Sequence, residues 1–76
     1  MKELLLNMAK NLVDDPESVT DTEVDSAEGK VLELRVAEGD MGKVIGRQGR
    51  IAKEIRTIIK TVAQRTGEKV TVEIVD

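Results

Sequence analysis

The residues best suited to chemistry lie in one stretch in the middle of the chain, Gly42-Lys43-Val44-Ile45-Gly46-Arg47-Gln48-Gly49-Arg50-Ile51. Gly46 and Gly49 bound a tight turn, since glycine at both ends lets the backbone bend sharply and lets another chain come close. Lys43, Arg47 and Arg50 surround this turn, and the sequence has no acidic residue between positions 41 and 53. A tight turn surrounded by cations is suited to binding a phosphate backbone.

The charges of the chain are segregated, which the net charge of −3 hides. Residues 1–42 carry eleven acidic and four basic side chains, whereas residues 43–69 carry eight basic and two acidic ones. Salt screens charges beyond about 8–10 Å, so the local basic segment decides what binds near the turn. A basic helix alone is more often only a solvated face, but the adjacent glycine turn favours nucleic-acid binding.

The composition argues against an enzyme and against a membrane protein. The chain has no cysteine and no histidine, so disulfides, the usual zinc and iron–sulfur sites, and a cysteine or histidine acting as nucleophile or base are excluded. Ser18 and Ser26 lie in predicted surface segments without a partner. We therefore expect no catalytic residue, no metal and no cofactor. No apolar run approaches the ~20 residues of a membrane span, and residues 1–13 lack the features of a signal peptide. A cytoplasmic location without membrane contact is expected.

Periodicity predicts the elements that position the turn within one domain, residues 1–76. Apolar residues at helical spacing from Leu4 to Val13 predict a first helix, which Asp14-Asp15-Pro16 ends. Strands are predicted at 19–25, 30–37 and 69–75, with a turn at 26–29 between the first two. Asp40 is expected to cap a short helix that starts near Met41 and ends at Gly46. A longer helix follows and is predicted to stop at Gly67. Its apolar residues form one stripe at helical spacing, namely Ile51, Ile55, Ile58, Ile59 and Val62.

This order of elements predicts an α+β, two-layer fold. The first two strands should form an antiparallel hairpin, and the helical crossover should make the second and third strands parallel. The expected result is a three-stranded mixed sheet covered on one face by three helices.

The stretch Val44-Ile45-Gly46-Arg47-Gln48-Gly49 is similar to the V-I-G-x-x-G core of KH domains, whose glycine loop joins two helices and clamps single-stranded RNA or DNA. The order of elements resembles the type II KH fold, and the whole chain resembles the small single-domain bacterial KH proteins of the KhpA group. The resemblance implies an RNA-binding regulator or chaperone. It also implies a homodimer, or a heterodimer with a second KH protein of the Jag (KhpB) group.

The resemblance also implies roles for the residues around the turn. Arg47 and Gln48 would face the phosphates of single-stranded RNA, beside an apolar groove for about four nucleotides. Whether Ile51 or Ala52 faces that groove stays open, because KH domains usually place an apolar residue at the position of Ala52. The full predicted RNA-binding set is Lys43, Val44, Ile45, Gly46, Arg47, Gln48, Gly49, Arg50, Ile51 and Lys53. The alternative function is a KH fold kept for dimerisation, with weak or no RNA binding.

Overall fold

The computed structural model describes residues 1–75, which form a three-stranded sheet with helices on one face. The elements in chain order are α1 (Lys2–Lys10), β1 (Thr20–Ser26), β2 (Gly29–Arg35), α2 (Met41–Ile45), α3 (Arg50–Arg65) and β3 (Val70–Val75). Single 3₁₀ turns precede β1, α2 and α3, at Pro16–Ser18, Glu38–Asp40 and Arg47–Gly49. The predicted α+β fold is confirmed.

The sheet has the strand order β1-β2-β3, so β1 and β3 are its two edges. β1 and β2 pair antiparallel from Thr20↔Arg35 to Ser26↔Gly29, while β2 and β3 pair parallel with Leu32 opposite Val72. The predicted hairpin and the predicted parallel crossover are both present. Gly29 is required where β2 starts, because a Cβ there would lie 2.6 Å from the carbonyl oxygen of Lys69.

The core lies between the sheet and the helices, and strand alternation explains which residues enter it. Leu32 and Leu34 of β2 are fully buried, whereas the alternate side chains of that strand point to the open face. The helices contribute one stripe each. The other buried core residues are Leu5, Ala9, Val19, Val44, Ile55, Ile59, Ala63, Val70 and Val72.

α1 is shorter than its apolar periodicity predicts, because it ends at Lys10 instead of reaching Val13. The side-chain amide of Asn11 donates to the carbonyl oxygen of Asn7 at 2.8 Å. This side chain therefore competes with backbone N–H groups for a helix carbonyl group. Leu12 then lies outside the helix and is 37% exposed.

Candidate nucleic-acid interface

The loop between α2 and α3 has a backbone conformation that its glycines make accessible. Gly46 has φ 77° and ψ 176°, and Gly49 has φ 74° and ψ 15°, both in regions that favour glycine. At Gly46 a Cβ would also lie 2.6 Å from Cγ1 of Ile51, whereas at Gly49 it would meet open space. Gly46 is therefore needed for both conformation and packing, and Gly49 for conformation alone.

The same backbone exposes the two residues between the glycines. Gln48 is the one non-glycine residue with positive φ among residues 1–75, at 59°, and both Arg47 and Gln48 are exposed. Arg50 and Lys53, at the start of α3, are exposed as well. The positive end of the α3 helix dipole adds positive potential beside the loop. This end of α3 can therefore attract a phosphate.

Lys43, which the sequence groups with these cations, is paired with carboxylates. Its Nζ lies 2.7 Å from Oδ2 of Asp14 and 3.3 Å from Oδ1 of Asp40. These hydrogen bonds, the one to Asp14 first, raise the pKa of Lys43 above its ordinary value. The sequence has no acidic neighbour at positions 41–53, but folding supplies two, so the charge of Lys43 is partly neutralised.

Asp40 is the partner that fixes this cluster, and it is only 4% exposed. Burial raises the pKa of its carboxyl group, but hydrogen bonds outweigh burial and hold the pKa below its ordinary value. The donors are the backbone N–H groups of Asp15 at 3.0 Å and Asp14 at 3.3 Å, together with Lys43. The prediction that Asp40 caps α2 is wrong for its side chain, which makes no cap hydrogen bond there. Asp40 instead ties the start of α2 to the segment after α1.

The predicted apolar residues are buried to different degrees. Val44 is fully buried in the core, so it can support a groove but has no surface for a ligand. Ile45 is 37% exposed at the end of α2. Ile51 is half-buried beneath Gly46 and beside α1, and Ala52 is buried. Ile45 is thus the apolar side chain most available beside the loop.

A cleft between α3 and β3 extends the basic surface beyond the predicted residues. It has a volume of about 530 Å³ and is lined by Glu28, Arg56, Lys60, Gln64, Lys69, Val70, Thr71 and Val72. Nε of Arg56 donates to the carbonyl oxygen of Val72 at 3.3 Å, which fixes this side chain over the outer edge of the sheet. None of these lining residues is in the RNA-binding set predicted from the sequence. Helical spacing places Lys53, Arg56 and Lys60 on one side of α3, but it does not show that this side borders β3.

Among residues 1–75, no helix is long and apolar enough to cross a membrane. In the same part of the chain, no group of three or more acidic side chains could hold a metal ion.

Comparison with known proteins relates the chain to one family. A family model described as KhpA/KhpB, KH domain, matches residues 2–74. The chain is 55% identical over 75 residues to the RNA-binding protein KhpA of Clostridium acetobutylicum, covering 99% of this chain and 100% of the relative. It is 56% identical to the RNA-binding protein KhpA of Clostridium perfringens with the same coverage. To that of Chlamydia trachomatis it is 49% identical over 76 residues, 100% of this chain and 97% of the relative.

A solved structure shares the fold at low sequence identity. The crystal structure of an Aquifex aeolicus Era variant bound to GDP.AlF4- superimposes with a TM-score of 0.61 at 23% identity. The match covers 96% of this chain but only 28% of that chain, so it shows the fold alone.

Proposed function

The chain belongs to the KhpA/KhpB KH-domain family, and we propose that it binds single-stranded RNA through the loop Gly46–Gly49 and the basic side of α3. The observation that carries the proposal is the left-handed backbone of the loop, which exposes Arg47 and Gln48 next to the first turn of α3. Relatives named RNA-binding proteins favour RNA as the nucleic acid.

The path of the RNA follows from the positions of the exposed cations. Phosphates bind at the loop, where Arg47 and Arg50 are exposed and the N–H groups of α3 add positive potential. Lys53 then leads to Arg56, about 9 Å from the loop at 1.5 Å per helical residue. The outer edge of β3 presents backbone groups that no strand pairs with, and these are suited to hydrogen bonds with base edges.

The proposed role is an RNA chaperone or post-transcriptional regulator in the cytoplasm, and not an enzyme. The chain lacks cysteine and histidine, and its clustered carboxylates at Asp14 and Asp40 are engaged in structural hydrogen bonds. A binding protein needs no reacting group, only a surface that follows the RNA backbone.

The proposal includes pairing with a second KH chain, either a second copy or a protein of the KhpB group. One KH groove holds about four nucleotides, and this chain has no aromatic residue on which bases could stack. A single groove should therefore bind weakly. Two linked grooves on one RNA can raise the overall affinity by about 10²–10⁴ without any new contact.

The decisive test is the double variant Arg47→Asp with Gln48→Asp, titrated against a fluorescein-labelled single-stranded RNA by fluorescence anisotropy. Aspartate tolerates the left-handed conformation of residue 48, so the loop keeps its shape while its charge is reversed. We expect binding to be abolished. The matched control is Arg35→Asp with Thr20→Asp, which changes the charge equally at exposed positions on the open face of the sheet.

We expect the control variant to bind like the parent chain and both variants to keep the parent's circular dichroism spectrum. RNA affinity equal to the parent's in the loop variant would refute the loop as the binding site. It would favour the alternative of a KH fold used for dimerisation.

A further inference from the structure

The two edges of the sheet differ in charge. The β3 edge borders the basic cleft, with Arg56 and Lys60 beside it. The β1 edge carries Asp21, Glu23 and Asp25 within seven residues that include no cation. Six of these seven residues are exposed and Asp21 is half-buried, so the β1 edge is open to solvent.

The hydrogen-bond register shows which backbone groups of β1 have no strand to pair with. The N–H group of Lys30 donates to the carbonyl oxygen of Lys69 at 2.9 Å, so the even-numbered residues of β2 direct their backbone groups toward β3. The odd-numbered residues of β2 then bond to β1, where they stand opposite Thr20, Thr22, Val24 and Ser26. The N–H and C=O groups of Asp21, Glu23 and Asp25 therefore point away from the sheet.

The side chains of these three acidic residues, which we call the acidic row, lie on one face of the sheet. Residues opposite each other in neighbouring strands share a face, and the acidic row stands opposite Leu34, Leu32 and Lys30. Leu32 and Leu34 are buried beneath the helices. The acidic row therefore runs along the β1 edge on the side of the sheet that carries the helices.

Little of this negative charge is compensated within the chain. Nζ of Lys30 lies 3.9 Å from Oε1 of Glu23, beyond hydrogen-bond distance, and an exposed pair of this kind contributes little. Among residues 1–75, Asp21 and Asp25 form no salt bridge, and Oδ2 of Asp21 is buried without a hydrogen-bond partner. The acidic row can therefore pair with cations from outside the chain.

Charge also decides between the possible occupants of this edge. If the β1 strands of two copies paired antiparallel around Glu23, Asp21 of each copy would face Asp25 of the other, and like charges opposite each other destabilise a sheet. RNA is a polyanion and is repelled in the same way. The complementary occupant is an extended protein segment with Lys or Arg at every second position, because such a segment offers both backbone groups and cations to the edge.

We propose that the β1 edge binds a basic, extended segment of another protein, which adds a fourth strand to the sheet. The backbone groups of Asp21, Glu23 and Asp25 bond to this segment, and its alternating cations face the acidic row. Basic arms of this kind occur in proteins that bind nucleic acids. Because β1 and β3 are opposite edges, the segment leaves the basic cleft open.

The first test measures amide hydrogen exchange of the full chain by NMR, with the probe peptide acetyl-Thr-Lys-Val-Lys-Val-Lys-Thr-amide. Its lysines lie on one side of an extended strand and match the spacing of the acidic row. We expect saturating peptide to slow exchange at Asp21, Glu23 and Asp25 by about tenfold or more. Unchanged exchange at these amides would overturn the proposal. Protection in the free chain that increases with protein concentration would assign the edge to a second copy and overturn it as well.

The second test compares Glu23→Thr with Glu23→Pro by fluorescence anisotropy of the fluorescein-labelled probe peptide. Both variants lose the carboxylate, but only proline also loses the outward N–H group, a loss that an edge strand tolerates. Glu23→Thr should weaken binding about two- to fivefold, and Glu23→Pro should weaken it about two- to tenfold further. The matched control is Glu33→Thr, which removes a carboxylate from the other face of the neighbouring strand and should bind like the parent. Equal affinities for the two Glu23 variants would show that the backbone of the edge is not used.

A modified peptide makes the same test on the unchanged protein, so the answer does not depend on how the proline variant folds. N-methylation of the lysine backbone nitrogens keeps every charge of the peptide but removes the donors that would bond to β1. We expect this peptide not to bind. Affinity equal to that of the unmodified peptide would reduce the contact to charge alone and overturn the addition of a strand.

Discussion

Two neighbouring cations, one within α2 and one just beyond it, have different surroundings. Lys43, the middle residue of α2, lies 2.7 Å from a carboxylate oxygen of Asp14 and 3.3 Å from one of Asp40, which precedes the helix. Just beyond the C-terminal end, Arg47 is exposed on the loop and has no salt bridge to any described residue. The first cation holds α2 against the segment after α1, and the second is available to a ligand.

The comparison shows that a count of cations in the sequence overestimates the charge available at a site. Lys43 and Arg47 are four positions apart and look equivalent in the sequence. The ligand meets the field that remains after the fold has paired its own charges, and one of these two cations is largely paired. Arg47 can meet a ligand only if the cluster of Asp14, Asp40 and Lys43 holds α2, and with it the loop, in position.

The largest effect is expected from Gly46→Ala, at the boundary between α2 and the loop. The new Cβ would lie 2.6 Å from Ile51 in a backbone conformation that alanine avoids. Strained backbone costs about 1–3 kcal/mol and overpacking another 1–3 kcal/mol. We expect the free energy of unfolding in urea to fall by about 2–6 kcal/mol, together with loss of RNA binding.

Two other glycines serve as controls for this substitution. Gly49→Ala has the positive φ but meets open space, so it should cost only about 1–2 kcal/mol. Gly42→Ala lies inside α2 without positive φ or a close neighbour, and alanine should be neutral or stabilise by up to about 1 kcal/mol. Equal losses for all three variants would show that the loop geometry is not what makes Gly46 necessary.

The second-largest effect is expected on RNA affinity and its salt dependence, when Arg47→Ala is compared with Lys43→Ala. Arg47→Ala should weaken RNA binding about tenfold, the usual size for a charge-assisted hydrogen bond. With three or four phosphate contacts the parent should show a slope of about −2 to −3 in log K against log salt, and each lost contact reduces the slope by about 0.7.

Lys43→Ala should leave this salt slope nearly unchanged, because its charge is already balanced by Asp14 and Asp40. Fluorescence anisotropy titrations at several salt concentrations measure both quantities. A larger loss of slope for Lys43→Ala than for Arg47→Ala would reverse the comparison and make Lys43 the main phosphate contact.

Much of the fold was predictable from the sequence because its signals are local. Alternation in Leu32-Glu33-Leu34 and the apolar stripe of α3 each depend on a few neighbouring residues, and the connections then limit the topology. The glycine loop was predictable for the same reason, since positive φ is a property of Gly46 and Gly49 themselves.

The pairing of Lys43 was not predictable because its main partner, Asp14, lies 29 positions away in the sequence. Nothing near position 43 shows which carboxylates the fold will bring there. The basic cleft was missed for a similar reason. Periodicity places Arg56 and Lys60 beside the apolar stripe of α3, but only the position of β3 determines which side of the helix borders a cleft.

The smallest effect is expected in the pH dependence of stability, to which Asp40 and Lys43 beside α2 contribute. The folded pKa of Asp40 lies below its ordinary value of 3.8, so the carboxylate stabilises the fold above that pH, and the stabilisation is lost as the pH falls toward the lower, folded value. Lys43 has the opposite sign: its pKa is raised above 10.5, so its contribution is complete below that pH and is lost as the pH rises further. Between these limits the cluster should contribute a constant amount.

We therefore expect the urea midpoint of the parent to fall below about pH 4 more steeply than that of Asp40→Asn, because asparagine has no proton to take up. The two midpoints should differ by a constant amount between about pH 5 and pH 9, since neither Asp40 nor Lys43 titrates there. Glu38→Gln is the matched control, as it removes an exposed carboxylate two positions away, and its acid profile should follow that of the parent. Parallel acid profiles for the parent and Asp40→Asn would show that the buried carboxylate does not hold α2. The comparison of Lys43 with Arg47 would then rest on the exposure of Arg47 alone.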